Sequence, residues 1–157
     1  MDIQIKMAEK NQSSQLADMR LAYLNDDFGG LTEEQTTAIR AQLPDYFEEH
    51  IGKEFFPFVA EVDGEIVATA FLLVTEKPAN PEFLTGKTGM LLNVYTKPEY
   101  RYQGIAAKVI EAVKEKGRQE GLSYLELSAT DQGIRLYEKT GFKRRTSHYT
   151  EMILEFE

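Results

Sequence analysis

The chain contains no cysteine. That excludes disulfides, a thiolate nucleophile and any metal centre built on sulfur ligands. Its two histidines, His50 and His148, stand far apart without metal-ligand spacing, so no metal is expected. No stretch is both long and free of charge, which argues against a membrane-spanning helix. The opening residues, Met1-Asp-Ile-Gln-Ile-Lys6, carry no signal-peptide pattern. Cations are in deficit: 18 Lys and Arg against 26 Asp and Glu leave a net charge of −8. Nonspecific nucleic-acid binding needs clustered Lys and Arg, so no nucleic-acid partner is expected. The acidic balance is mildly compatible with cationic substrates such as amines. There is no Gly-x-Gly-x-x-Gly, which argues against a dinucleotide fold. Gly86-Lys87-Thr88 ends like a P-loop, but Pro81 stands where that motif needs its first glycine. Together these absences fit a cytoplasmic protein without metal or membrane anchor.

What is present is 157 residues with 42% apolar content, enough for one domain, residues 1–157, with a sizeable core. Residues 3–7 alternate like a strand. Residues 13–25 read as a helix with Leu16, Met19, Tyr23 and Leu24 inward. Thr32-Glu-Glu-Gln35 is a capping-box pattern opening a second helix, which Pro44 is expected to kink or split. Two strands flank Asp63-Gly64, a hairpin turn. Residues 76–89 form a loop rich in Pro and Gly, a candidate lid. Met90–Thr96 reads as a buried strand and Thr150–Phe156 as an alternating, closing one.

The most informative stretch is Asn93 to Ala107. An apolar strand enters a turn at Lys97–Glu99, and Arg101-Tyr-Gln-Gly104-Ile-Ala106 opens a helix with Ile105, Val109, Ala112 and Val113 on one face. Such a junction gathers free backbone N–H groups, and the helix dipole favours an anion there. Gly104 has no Cβ to block close approach of a phosphate. Downstream come a short strand, Tyr124-Leu-Glu-Leu127, and then Leu136-Tyr137-Glu138-Lys139-Thr-Gly141-Phe142. Arg-x-x-Gly-x-Ala, a helix, a Leu-Glu-Leu strand and then Leu-Tyr-Glu-Lys-x-Gly-Phe resembles the GNAT N-acetyltransferase superfamily, closely over residues 89–144.

The resemblance implies an α+β fold, a mixed, largely antiparallel sheet flanked by helices in the order β-α-α-β-β-β-α-β-α-β-β. It implies acetyl-CoA as cofactor, with coenzyme A as product. The pyrophosphate is expected on the amides of Tyr102, Gln103, Gly104, Ile105, Ala106 and Ala107. Arg101 is expected to act by position as well as charge, and Val94, Tyr95 and Thr96 to offer main-chain groups to pantetheine and the thioester. Tyr137 matches the tyrosine that protonates the leaving thiolate. The implied reaction is direct attack on the thioester by a primary amine of a small molecule or peptide. An amine of pKa near ~10.4 is mostly protonated at neutral pH, so a base or a desolvating cleft must help. Glu126 matches one of the family's base positions; Glu61 is a further candidate, and Asn93 stands where others carry a carboxylate. The lack of a carboxylate there also allows a second reading, an acetyl-CoA sensor or scaffold that transfers nothing. The acceptor pocket is expected from the first two helices and the 76–89 loop, with the aromatics between Tyr46 and Phe58 as candidate walls. Homodimers are common in that family.

Overall fold

The strand sequences send apolar side chains to both faces of a sheet. In β2 (Phe55–Val62), Phe55 and Val59 face one side while Phe56, Phe58, Ala60 and Val62 face the other. In β3 (Glu65–Glu76), Ile66, Phe71 and Leu73 oppose Val67, Ala70, Leu72 and Val74. A strand apolar on both faces must be covered on both. The computed structural model, which describes residues Met1–Phe156, supplies both covers. Helices α1 (Ser13–Asp27) and α2 (Glu33–His50) pack on the Phe55–Phe71 side. Helix α3 (Ile105–Gln119) packs on the other through Ile105, Val109, Ile110 and Val113.

The sheet has the order β1-β2-β3-β4-β5, with β1 spanning Gln4–Met7, β4 Lys87–Thr96 and β5 Leu125–Glu126. The first three pairings are antiparallel and the last is parallel. A short helix, α4 (Ile134–Lys139), follows β5. The architecture is the expected mixed α+β one. The Asp63-Gly64 turn has both residues left-handed (φ 51° and 79°), as a two-residue hairpin requires. At the start of α2, Thr32 and Gln35 each bond the other's backbone N–H at 3.0 Å.

Two expectations are corrected. Pro44 does not split α2: it lies on the exposed side of a continuous helix, where water can hydrate the carbonyl that loses its donor. The closing strand does not form either. Residues 143–156 contain no strand, and Met152, Ile153, Leu154 and Phe156 are exposed. Alternation supplies a strand's side-chain pattern, but a strand also needs a partner, and none lies beside this segment among the described residues.

The Pro/Gly segment is shorter than expected, because β3 runs to Glu76 and β4 starts at Lys87. Its ends are closed by Lys77 N–H to the Gly86 carbonyl at 2.8 Å, and the Thr85 and Ser123 hydroxyls bond at 2.8 Å.

Gly89 is where β4, β5 and α3 come closest. It pairs with Leu125, and a Cβ there would stand 2.7 Å from both Leu122 and Leu125 and 2.8 Å from Leu72. Gly89→Val is therefore expected to destabilise the chain by about 1–3 kcal/mol through overpacking. Urea unfolding monitored by circular dichroism measures this; an unchanged midpoint would mean those leucines yield freely.

Candidate functional site

Chain geometry around Gly104 leaves a row of amides without acceptors. Strand β4 ends at Thr96, a 3-10 turn covers Pro98–Tyr100, and α3 begins at Ile105. The first helical bond of α3 runs from Lys108 N–H to the Gly104 carbonyl at 3.4 Å. The N–H groups of Tyr102 through Ala107 have no protein acceptor among the described residues. Gly104 is left-handed at φ 76°, and a Cβ built there would meet nothing within 4 Å. Tyr102 is also left-handed, at φ 63°, with its side chain fully exposed. The side chain of Arg101 braces the turn. Its Nε donates to the Thr96 carbonyl at 2.8 Å, its Nη2 reaches Asp26 at 3.3 Å, and the guanidinium lies over the Tyr95 ring.

A gap opens beside this turn. Strands β4 and β5 pair only at Gly89–Leu125 and Met90–Glu126. From Leu91 to Thr96, which includes Val94, Tyr95 and Thr96, β4 has a neighbour only on its β3 side. There the ladder skips: Leu92 pairs with Phe71 and Tyr95 with Thr69, so Asn93 and Val94 together oppose Ala70. This bulge puts Asn93 at φ 52°, a conformation asparagine tolerates better than most residues. The Asn93 side chain is buried. Its Nδ2 donates to Thr69 Oγ1 at 3.1 Å and to the Met19 carbonyl at 3.4 Å, and its Oδ1 accepts from Arg20 at 3.3 Å. The Thr69 hydroxyl donates back to the Asn93 carbonyl at 2.7 Å. Asn93 therefore fixes the bulge, with its polar atoms bonded to protein rather than left to orient a water.

Tyr137 lies on α4, half-buried, with its ring edge-on to Phe142. Burial, and then nearby Tyr23 of α1, push its phenol up to about 12. Glu126, at the end of β5, accepts from Arg145 at 3.0 Å. Glu61 accepts from Gln12 at 2.7 Å and pairs with Lys6 at 3.3 Å on the β1–β2 side of the sheet. Both carboxylates are engaged by a cation of the protein itself.

Between α1, α2 and the sheet lies a cavity of about 490 Å³. Leu24, Phe28 and Leu31 line it from the α1 side, and Ile39, Leu43 and Phe47 from α2. Phe55, Phe71 and Leu92 form its floor, and its polar lining is Arg20, Gln35, Gln42 and Tyr46. Neither Glu126 nor Glu61 lines it, and no carboxylate does. A cavity does form between the first two helices; the 76–89 loop takes no part in lining it, since its ends are tied to the opposite end of β4. Of the aromatic cluster, Tyr46, Phe47 and Phe55 are walls, whereas Phe56 and Phe58 face α3. Arg20 escaped the sequence reading, although a signal was present: it lies four residues after Leu16, on the stripe read as inward.

The acetyltransferase (GNAT) family model matches residues 19–142. A predicted acetyltransferase from Clostridium acetobutylicum, solved with acetyl-CoA, is similar at a TM-score of 0.84 with 25% identity, over 97% of this chain and 96% of that one. A GCN5-related N-acetyltransferase from Ralstonia eutropha JMP134 has the same fold at a TM-score of 0.81 with 22% identity, over 96% and 99% of the two chains. Thialysine N-epsilon-acetyltransferase of Sus scrofa is 37% identical over 65 residues, which are 40% of this chain and 38% of that relative's length. The family match spans most of the chain, and the protein belongs to the GNAT acetyltransferase family.

Proposed function

We propose that this chain transfers the acetyl group of acetyl-CoA to a primary amine of a small molecule or peptide, residues 1–157 acting as one cytoplasmic domain. The observation that carries the reading is the row of acceptor-free amides from Tyr102 to Ala107 beside an open Gly104. Such a row suits a diphosphate: donors converge, the helix dipole is favourable, and no side chain intrudes. Acetyl-CoA, when bound, supplies an acyl carbon activated by its thioester. The free edge of β4 from Leu91 to Thr96 offers main-chain groups to an extended arm, as an added strand would find them.

The amine nitrogen forms its bond to the acyl carbon as the carbon–sulfur bond breaks. The nitrogen releases one proton to solvent, and the departing sulfur takes one from Tyr137, which solvent then restores. Burial raises the phenol to about 12, which keeps it protonated, and so able to donate, at neutral pH. No carboxylate lines the cavity to take the amine proton. Desolvation in the apolar cleft does that work by disfavouring the ammonium form. A sensor that binds acetyl-CoA without turnover is the competing reading, favoured by the same missing base; the Tyr137 phenol favours the enzyme.

The working unit is a homodimer. Each chain carries an exposed apolar segment, Met152–Phe156, and a β5 strand paired on one side only. A second copy satisfies both reciprocally, as two-fold exchange allows.

Gly104→Glu is expected to raise the Kd for coenzyme A about a hundredfold or more, by charge repulsion and by strain at a left-handed position. Calorimetry reads this, and unchanged affinity in a folded variant removes the site. Tyr137→Phe is expected to lower kcat about a hundredfold with coenzyme A affinity within about twofold. The wild-type rate should show no falling limb from this phenol until pH approaches 12. A Tyr137→Phe variant with wild-type single-turnover rate would end the acid role. The full chain is expected to sediment as a dimer and the Met152→Asp, Leu154→Asp double variant as a monomer; a monomeric full chain at micromolar concentration contradicts the pairing.

A further inference from the structure

Arg20 occupies an unusual electrostatic position. It is partly buried, it lines the apolar cavity, and no carboxylate lies within ion-pair distance of it among the described residues. The arginines at 40, 101, 118 and 145 each have an acidic partner, and Arg135 and Arg144 are exposed to solvent. Holding a charge away from water without a counter-charge is unfavourable. The one side-chain bond Arg20 makes, to Asn93 Oδ1, uses a single donor of a guanidinium that has five. The remaining donors have no protein acceptor among the described residues. Burial lowers the pKa of Arg20, yet the group stays charged at any working pH.

Its position within the cavity narrows what it would bind. Asn93 is the bulge residue of β4, next to Val94 and the gap beside β5. The guanidinium therefore stands at the β4 end of the cavity, the end at which the acetyl-transfer reading places the thioester. Ile39, Leu43, Phe47 and Phe55 line the part formed with α2. A ligand matching this layout has its anion within a bond or two of its amine and an apolar body beyond. Resting on the acetyl-transfer reading above, we propose that the acceptor is an α-amino acid with an apolar side chain, its carboxylate gripped by Arg20 and its side chain housed between α1 and α2.

This assignment also bears on the missing base. An α-ammonium is held protonated in part by its own carboxylate, because an opposite charge nearby favours the charged form. Pairing that carboxylate with Arg20 withdraws the support and places a like charge close to the nitrogen, so the neutral amine becomes more accessible. Polyamines and aminoglycosides are disfavoured, because each extra ammonium would enter a cavity that has no carboxylate to meet it.

The test measures thiol release, at saturating acetyl-CoA, from L-leucine and L-phenylalanine, their carboxamides, the phosphonate analogue of leucine, and spermidine. The amino acids are expected to exceed their amides in kcat/KM by about ten- to a hundredfold, the worth of one charge-assisted contact. Arg20→Gln should abolish that preference, Arg20→Lys should retain part of it, and both should bind coenzyme A as the wild type does. Amides or spermidine as good as the acids, a preference for the phosphonate, or an undiminished preference in Arg20→Gln each overturn the proposal. Calorimetry of L-leucine against leucinamide on the complex with coenzyme A separates the two readings. Carboxylate-dependent binding that Arg20→Gln removes, without thiol release from any amine, leaves this site standing and refutes acetyl transfer. Equal binding of acid and amide refutes the site whatever the turnover.

Discussion

The side chain of Asn93 is enclosed in the core and bonds three groups on two elements: Thr69 on β3, and the Met19 carbonyl and Arg20 guanidinium on α1. A buried amide has to find partners, and these are the ones that fix how α1 sits over β3 and β4. The bulge it occupies shifts β4 by one residue against β3, so Val94 turns toward the α3 side and Tyr95 returns to the α1–α2 side. Tyr95 then lies under Arg101, and Arg101 braces the turn that presents the amides. The anion cradle and the guanidinium of the cavity thus depend on one polar side chain. Replacing it with a leucine would remove the bonds and leave Thr69 and the α1 carbonyl without that partner.

Charge is distributed unevenly around this point. The chain carries a net −8, yet the groups that converge on the gap are positive or partly positive: a helix N-terminus on one side and Arg20 on the other. Glu126 pairs with Arg145, and Glu61 pairs with Lys6 and accepts a hydrogen bond from Gln12. Under the proposed reading, the arrangement favours anionic groups on both ligands, and burial rather than a carboxylate influences the amine proton.

Elements specified by local chemistry were legible in the sequence. The apolar stripe of α3, the Thr32–Gln35 cap and the Asp63-Gly64 turn each depend on residues within a few positions of one another, and each forms as read. The turn before α3 was legible for the same reason, because its glycine and its acceptor-free amides are contiguous. What escaped is decided between distant residues. Pro44 is tolerated because of which side of α2 faces water. Residues 150–156 have a strand's alternation, but pairing partners cannot be read from one strand. The role of Arg20 depends on Asn93, far along the chain, and on the absence of a carboxylate around a cavity that exists only after α1 and α2 dock. The loop thought to be a lid is held at the wrong end of β4, a matter of strand direction rather than composition.

The brace formed by Arg101 carries a consequence for how ligand and protein meet. Its bonds to Thr96 and Asp26 tether the loop to the sheet and to the end of α1 before any ligand arrives. The conformational entropy of that segment is therefore surrendered during folding, at the same moment as that of the core. Association with a ligand at these amides, the proposed diphosphate, then needs no ordering of the loop, and its attraction appears in the affinity undiminished by that cost.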